Sequence, residues 1–336
     1  KGIYYNELKS KYNIHPIHIS RSFNVFHHLK SLIRIYFFFK KNNFDVIHVH
    51  TPVASIIVRI AAKLAGVKLI IYTAHGFYFH ENMNYFYKKF HIFIEFIMGY
   101  LTDLIFTQSY EDYLDAIKYN FLKKNKIFYI GNGVNINKFN PLIFNDSNLN
   151  KNKFTIGFLG RIVKEKGIIE FLEAAEKIVI KYDDIEFLIG GTKLSSDVKD
   201  RVFKRINYFK KNYNNKIKFI GNIEDAPKFY SRLDLFCLPS WREGMPRTII
   251  EAMMMKKCVI ASNIRGAREE IINNETGYLF KIKSSEDICN AIIKCYKDKN
   301  LTKAMGVKGQ KRALAIYDES KITKLQSQII KNQFSK

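Results

Sequence analysis

Glu243 and Glu251 stand eight residues apart in the stretch Ser240-Trp-Arg-Glu-Gly-Met-Pro-Arg-Thr-Ile-Ile-Glu251. Pro246 suits the first turn of a helix, where its missing N–H would have no partner anyway. Glu243 then falls in the loop before the helix and Glu251 on the helix itself. Five helical steps advance the chain roughly 7–8 Å. Two acceptor-only carboxylates at that separation can hold two hydroxyl-bearing parts of one ligand. The backbone N–H groups of Gly244 and Met245, at the helix start, can bind an anion between them. A hydroxyl, an anion and a hydroxyl in a row describe a sugar nucleotide. The same spacing also fits one charge near the helix dipole and one solvated side chain, and the pair alone does not choose.

Two further segments carry candidate chemistry. Gly160-Arg-Ile-Val-Lys-Glu-Lys-Gly167 leaves an apolar run and opens a helical pattern. The Arg161 guanidinium and the Lys166 ammonium suit a diphosphate, although an exposed basic loop in a lysine-rich chain has the same composition. Thr73-Ala-His-Gly-Phe-Tyr-Phe-His-Glu81 places His75 at the end of an apolar run, followed by Gly76. His75 can donate to a sugar hydroxyl or help stabilise developing charge; it also fits a capped strand-end histidine. His80-Glu81 lacks the second histidine of a zinc helix motif. His48 and His50 alternate on one strand and read as a buried strand end, so no metal site is assigned.

These residues need elements to hold them. Short apolar runs predict strands at 14–20, 45–50, 68–74, 103–108 and 126–131, and a second set at 154–160, 185–190, 217–221, 233–239 and 258–262. Helical patterns lie between them, at 53–66, 109–121, 168–182, 246–256 and 285–297. Such alternation implies parallel, doubly wound sheets. The polar, asparagine-rich run 140–153 reads as a linker. The expected organisation is therefore an N-terminal domain over 1–139, a linker over 140–153, a C-terminal domain over 154–315 and a last helix over 316–336 packing back on the first domain. Ligands in such sheets bind beyond the carboxyl ends of strands. His75, Arg161, Gly190-Gly191 and Glu243 all follow strand ends.

Composition narrows the classes. The chain has 336 residues, 47% of them hydrophobic, and a net charge of +24. The excess is spread, +9 over residues 1–150 and +15 over the rest, and no nucleic-acid motif accompanies it. No nucleic-acid partner is expected. Cys237, Cys258, Cys289 and Cys295 form no CxxC pair and read as small core residues of a reducing compartment. The apolar stretches fall short of a membrane span, no signal peptide is visible, and the chain opens on Lys1, which suggests a fragment or a processed form. Residues 8–44 contain no acidic side chain. Within them Phe23, Phe26, Leu29, Leu32, Ile33 and 36–39 alternate with Arg21, Lys30, Arg34, Lys40 and Lys41, and Phe86–Tyr100 adds a second aromatic helix with Lys88 and Lys89. Such surfaces can rest on anionic lipid or be core-facing helices with snorkelling lysines.

Together the motifs resemble the glycosyltransferases of family 4, retaining enzymes of the GT-B fold. The matching pieces are Gly160-Arg161…Lys166-Gly167, the E-x7-E run Glu243–Glu251, Gly131-Asn-Gly-Val134, Arg265-Gly-Ala-Arg-Glu269 and Thr276-Gly277. The segments His48–Ala54 and Tyr72–Phe77 look like the subgroup that builds capsular and other surface polysaccharides. The resemblance implies two Rossmann-like domains facing a cleft, and a transfer of sugar, with retention, from a nucleotide-diphosphate donor, a UDP-sugar first among them, to a lipid-linked or saccharide acceptor. It implies that Arg161 and Lys166 hold the diphosphate, with Gly160 in their turn. The donor-binding loop Gly244, Met245, Pro246 and Arg247 would offer its amides to the phosphates, Glu251 would bind the ribose, and Glu243 and His75 would meet the donor sugar. No metal cofactor is expected. The expected location is the cytoplasm, peripheral on the inner face of the plasma membrane. Family members begin with a strand, a glycine-rich turn and a helix ahead of the counterpart of Lys1. The N-terminal domain is therefore expected to be incomplete, and a weakly active or non-catalytic donor-binding protein is the alternative. A nicotinamide dehydrogenase would need a G-x-G-x-x-G turn after a strand, and there is none.

Overall fold

The computed structural model describes residues 5–17, 19, 25–144, 152–192 and 202–334. In chain order these hold α1 (Tyr5–Lys11), α2 (Val25–Asn42), β1 (Val46–His50), α3 (Pro52–Ala65), β2 (Leu69–Ala74), α4 (Tyr85–Gly99), β3 (Leu104–Thr107), α5 (Tyr110–Lys118) and β4 (Ile127–Tyr129). There follow β5 (Phe154–Leu159), α6 (Ile168–Val179), β6 (Ile185–Gly190), α7 (Val202–Asn212), β7 (Ile217–Gly221), α8 (Ala226–Ser231), β8 (Leu235–Leu238), α9 (Arg247–Met254) and β9 (Cys258–Ser262). The chain closes with α10 (Ala267–Glu270), β10 (Gly277–Phe280), α11 (Ser285–Lys297), α12 (Lys299–Ile316) and α13 (Glu319–Phe334). Two compact units result. One comprises 1–106 and 115–128, the other 107–114 and 129–336. Both are α/β units built on parallel sheets, as in the GT-B fold.

The first unit carries a four-stranded sheet in the order β1-β2-β3-β4. β1 and β2 run parallel, with His48 opposite Ile71 and His50 opposite Thr73. Every residue of β2 is buried, which is why its sequence, LIIYTA, reads as a continuous apolar run rather than an alternation. Pro52 opens α3 and Gly66, in the left-handed region at φ 80°, ends it. α2 and α3 pack together through Ile35, Phe39, Ile57, Ala61 and Ala62 onto Ile70. The strand expected at 14–20 does not form over its described residues, 14–17 and 19. Pro16 has no N–H to give a ladder, and Ile17 and Ile19 instead pack against the α2–α3 core. Residues 18 and 20, like Arg21 and Phe23, lie outside the described residues.

The second unit has a six-stranded sheet in the order β10-β9-β8-β5-β6-β7. All five of its strand pairings are parallel. Phe158 and Phe187 enter one core with Phe171 and Ile178 of α6 and Ile292 of α11. Leu188 and Phe236 enter another with Tyr230 of α8, Ile250 and Met253 of α9 and Ala313 of α12. Helices therefore cover both faces. β10 was not among the expected strands: Tyr278-Leu279-Phe280 is a three-residue apolar run after Gly277, too short to stand out. Residues 129–144 and α13 group with this unit. The Glu319 N–H donates to the Val134 carbonyl at 3.1 Å, and Ile322 lies against Gly133. Of the run 140–153, Pro141–Ile143 form a 3-10 turn, with Asn140 accepting from the Leu142 N–H; 145–151 lie outside the described residues.

Candidate functional site

The sheet order of the second unit sets where a ligand can sit. From β5 the chain moves to β6 and β7 on one side, then returns to β8 on the other. β5 and β8 are thus neighbours whose following loops diverge, the switch point at which such sheets bind ligands. The loop after β5 holds Gly160, Arg161 and Lys166; the loop after β8 holds Glu243 to Pro246. Two glycines make the close packing of these loops feasible. Gly167 has φ 70°, and a Cβ there would come 1.9 Å from the Pro239 carbonyl oxygen. Gly191, beyond β6, has φ 126°, and a Cβ there would come 1.8 Å from the Gly160 oxygen.

Across the switch point Lys166 Nζ donates to Glu243 Oε1 at 2.5 Å, and Ser240 Oγ donates to the same oxygen at 2.7 Å. Both members of the ion pair are largely buried, with side-chain exposures of 20% and 14%. Arg161 is held differently: it donates to Glu165 Oε1 at 2.7 Å, while Arg242 reaches Glu165 Oε2 at 3.3 Å. Glu165 thus bridges two guanidiniums, and the Trp241 N–H donates to its backbone oxygen at 2.9 Å. The result is three cationic side chains, Arg161, Lys166 and Arg242, gathered on the facing loops by two carboxylates.

Pro246 caps α9, and Arg247 is the first helical residue, so the helix begins one residue later than its proline suggested. The loop ahead of it is pinned from two sides. The buried Asn132 side chain donates to the Met245 carbonyl at 2.9 Å, and a Cβ on Gly266 would meet the Gly244 oxygen at 1.9 Å. Glu251 lies within α9, where Tyr230 Oη donates to its Oε2 at 3.0 Å. Burial raises the Glu251 carboxyl above its ordinary range, opposed by the Tyr230 bond and by Arg247. Arg247 also approaches Glu319 of α13 at 3.8 Å. Glu270 is fully buried, with neither carboxyl oxygen hydrogen-bonded. Burial, then Glu243 and Glu269, push it well above the usual carboxylate range. The neutral acid is the form favoured there, so Glu270 adds little negative charge beside Glu243.

The family model for Glycosyl transferases group 1 matches residues 139–312, and that for Glycosyltransferase Family 4 matches residues 5–138. The chain belongs to the group 1 glycosyltransferases. It is 30% identical over 292 residues, 84% of this chain and 74% of the relative, to a UDP-Gal:alpha-D-GlcNAc-diphosphoundecaprenol alpha-1,3-galactosyltransferase of Escherichia coli. It is 31% identical over 310 residues, 89% of this chain and 79% of the relative, to the capsular polysaccharide biosynthesis glycosyltransferase CapM of Staphylococcus aureus. The crystal structure of a glycosyltransferase from Rickettsia africae superposes with a TM-score of 0.77 at 26% identity, covering 99% of this chain and 88% of that one.

Seven of the glycosyltransferase motif positions singled out in the sequence, Gly160, Arg161, Lys166, Gly244, Met245, Pro246 and Glu243, therefore fall on the two loops that flank the switch point. Arg247 and Glu251 follow on α9. His75 belongs to the first unit, beyond β2, where it meets His50. The Arg265–Glu269 motif holds the start of α5, while its Gly266 packs against the Gly244 carbonyl. Arg265 pairs with buried Asp112, Arg268 grips Glu111 through two bonds of 2.6 and 3.0 Å, and Glu269 accepts from the N–H groups of Tyr110 and Glu111. Sequence reasoning missed Ser240, Tyr230, Glu165 and Arg242 as site partners. Glu165 sits between the two named cations and Arg242 beside Glu243, which was the available signal. Tyr230 carried none.

Proposed function

We propose that this glycosyltransferase moves a hexose from a UDP-sugar to a lipid-linked saccharide, with retention at the anomeric carbon, in the synthesis of a cell-surface polysaccharide. The observation that carries the reading is the Lys166–Glu243 pair across the switch point, with Glu251 on the helix that follows. A diphosphate arriving between the loops offers Lys166 and Arg161 better partners than the carboxylates that hold them now, since charge-assisted bonds to phosphate are strong and directional. Glu243, released from Lys166, can then accept from hydroxyls of the donor sugar. Glu251, with Oε2 on Tyr230, has Oε1 for a ribose hydroxyl. The leaving diphosphate is neutralised by Arg161, Lys166 and the amides at the start of α9, so the reaction requires no metal. His75 is assigned to the donor sugar, and the departing phosphate assists deprotonation of the acceptor on the same face.

The donor and acceptor classes follow the E. coli relative, whose name specifies UDP-Gal and a diphosphoundecaprenol-linked acceptor; the surface-polysaccharide setting follows CapM. An acceptor of that kind is embedded in the membrane, so the enzyme works at the inner leaflet. No helix among the described residues is long and apolar enough to cross a membrane. The exposed aromatic face of α4, with Lys88 and Lys89, is suited to lie on anionic lipid. Co-sedimentation with anionic vesicles at physiological salt reads that location directly.

The donor site is tested with UDP-galactose, a polyprenyl-diphosphate-GlcNAc acceptor and EDTA present throughout. Lys166→Ala and Glu251→Ala should each lower turnover on the order of 10²-fold or more, the loss expected when one preorganised charge-stabilising contact is removed. Near-normal turnover in both variants would sink the site assignment, and loss of wild-type activity in EDTA would sink the metal-free reading.

A further inference from the structure

The first unit contains a chain of three imidazoles, of which only His75 has a part in the proposed donor site. Side chains alternate along a strand, so His48 and His50 project from one face of β1. The β1–β2 register sets His50 opposite Thr73, and His75 follows Thr73 by two residues. The rings meet accordingly: centroids are 4.4 Å apart for His48 and His50 and 5.1 Å apart for His50 and His75. His48 Nε2 is 2.7 Å from Thr73 Oγ1, and His50 Nδ1 is 2.9 Å from His75 Nε2. Burial, followed by the neighbouring histidines, lowers His48 to about 4 and lowers His50 below its ordinary value. At neutral pH the favoured state of His48 and His50 is therefore the uncharged ring.

A nitrogen–nitrogen contact of 2.9 Å between imidazoles needs one N–H and one bare nitrogen. Which ring supplies the proton decides the tautomer of the other. We propose that His50 is a positioning residue for His75: His50 Nδ1–H donates to His75 Nε2, so that His75 carries its own proton on Nδ1. His75 is then a fixed donor at Nδ1 instead of a mixture of two tautomers. A histidine that donates to a sugar hydroxyl gains from this, because no tautomer has to be selected when substrate arrives. His48 completes the arrangement by lying beside His50, its ring tilted by 35°, while its Nε2 is held by Thr73. The inference rests on the reading in which His75 meets the donor sugar, but its structural half, the tautomer, does not.

The test uses the full chain with 15N-labelled histidine at pH 7.5, together with turnover of UDP-galactose. In the wild type, His75 should show a bare Nε2 and a protonated Nδ1. In His50→Leu both His75 nitrogens should move to the averaged positions of exchanging tautomers. kcat should fall about tenfold with KM little changed, a part of the roughly 10²–10⁴ that a positioned proton donor contributes. In His50→Asn the side-chain amide occupies the place of Nδ1 and can donate to Nε2, so the His75 pattern and kcat to within about threefold should return. A merely structural His50 would lower thermal stability in both variants without changing the tautomer. A wild-type His75 that exchanges freely, one protonated at Nε2, or a His75 spectrum indifferent to His50→Leu overturns the proposal. If the wild type itself fails to turn over UDP-galactose, the donor reading falls, and the tautomer pattern alone then decides the role of His50.

Discussion

Glu251 shows how function sets a residue against stability. Its carboxyl is pushed up mainly by burial, so folding favours the neutral acid over the carboxylate. The contribution of such a group to stability is fully present below the ordinary carboxylate pKa and is lost as pH rises through the raised value. At neutral pH the ionised side chain is therefore a burden on the fold, kept, in the proposed reading, because it can accept from a ribose. Glu251→Gln keeps the shape and can still receive the Tyr230 hydroxyl, but it has no charge to desolvate. The variant should melt at a higher temperature than the wild type at pH 7.5, and this advantage should shrink toward zero as pH falls to about 4, near the ordinary carboxylate value. The same substitution should weaken UDP binding, because an amide is a poorer acceptor for two hydroxyls. Melting curves at the two pH values and calorimetry with UDP check both halves. A variant less stable at pH 7.5 that binds UDP normally would contradict the assignment of Glu251 to the ribose.

The donor loops depend on one close approach that elements, not single residues, create. Gly167 ends the 3-10 turn Lys164–Lys166 and opens α6 in the left-handed region, and its α-carbon faces the Pro239 carbonyl across the β5–β8 boundary. Gly66 has a similar φ at the end of α3, with nothing within 4 Å of the place a Cβ would take. Gly66→Ala should cost only the left-handed penalty, about 1–2 kcal/mol. Gly167→Ala should cost more, because the loop carrying Lys166 must also move away from Pro239, and it should reduce UDP binding. Denaturant melts of the two variants decide it; equal losses would mean that the close approach is not what fixes the loop. How much of this was visible beforehand follows from the range of the interactions. Nine strands were readable because buried parallel strands are continuous apolar runs, and their carboxyl ends picked out Arg161, Glu243 and His75. The run 14–20 misled because Ile17 and Ile19 are partly buried against helices while Pro16 denies a ladder. The Lys166–Glu243 bond spans 77 residues of sequence and needs the β5–β8 adjacency. The His50–His75 contact needs the β1–β2 register. Neither the adjacency nor the register is written in any local pattern.

At the scale of the molecule, a net charge of +24 offers two explanations for any attraction to an anionic membrane. One is bulk charge, which every lysine shares. The other is a defined face, and α4 supplies one. Its inner side is fixed by Ile92 and Met98 and by Glu95, which accepts from buried Arg59 at 3.2 Å. Its outer side exposes Tyr85, Phe86, Tyr87, Phe90, Phe93 and Ile97, with Phe86 at 78%. An aromatic surface of this kind is unusual on a protein that meets only water. It is the composition expected where rings settle at the headgroup level and lysines meet lipid phosphates. The explanations separate in a double variant. Lys88→Glu with Lys89→Glu lowers the net charge of +24 by only four, so binding through bulk charge should weaken modestly. Docking through α4 should lose most of its affinity, since each basic residue near the surface contributes about 1 kcal/mol and its replacement is repelled. Phe86→Ser with Phe90→Ser leaves the charge untouched and should also release the protein from vesicles. Co-sedimentation of the wild type and both variants with phosphatidylglycerol-containing vesicles at physiological salt gives the answer. Retention of both variants would assign the attraction to charge spread over the whole surface and remove α4 as the docking face.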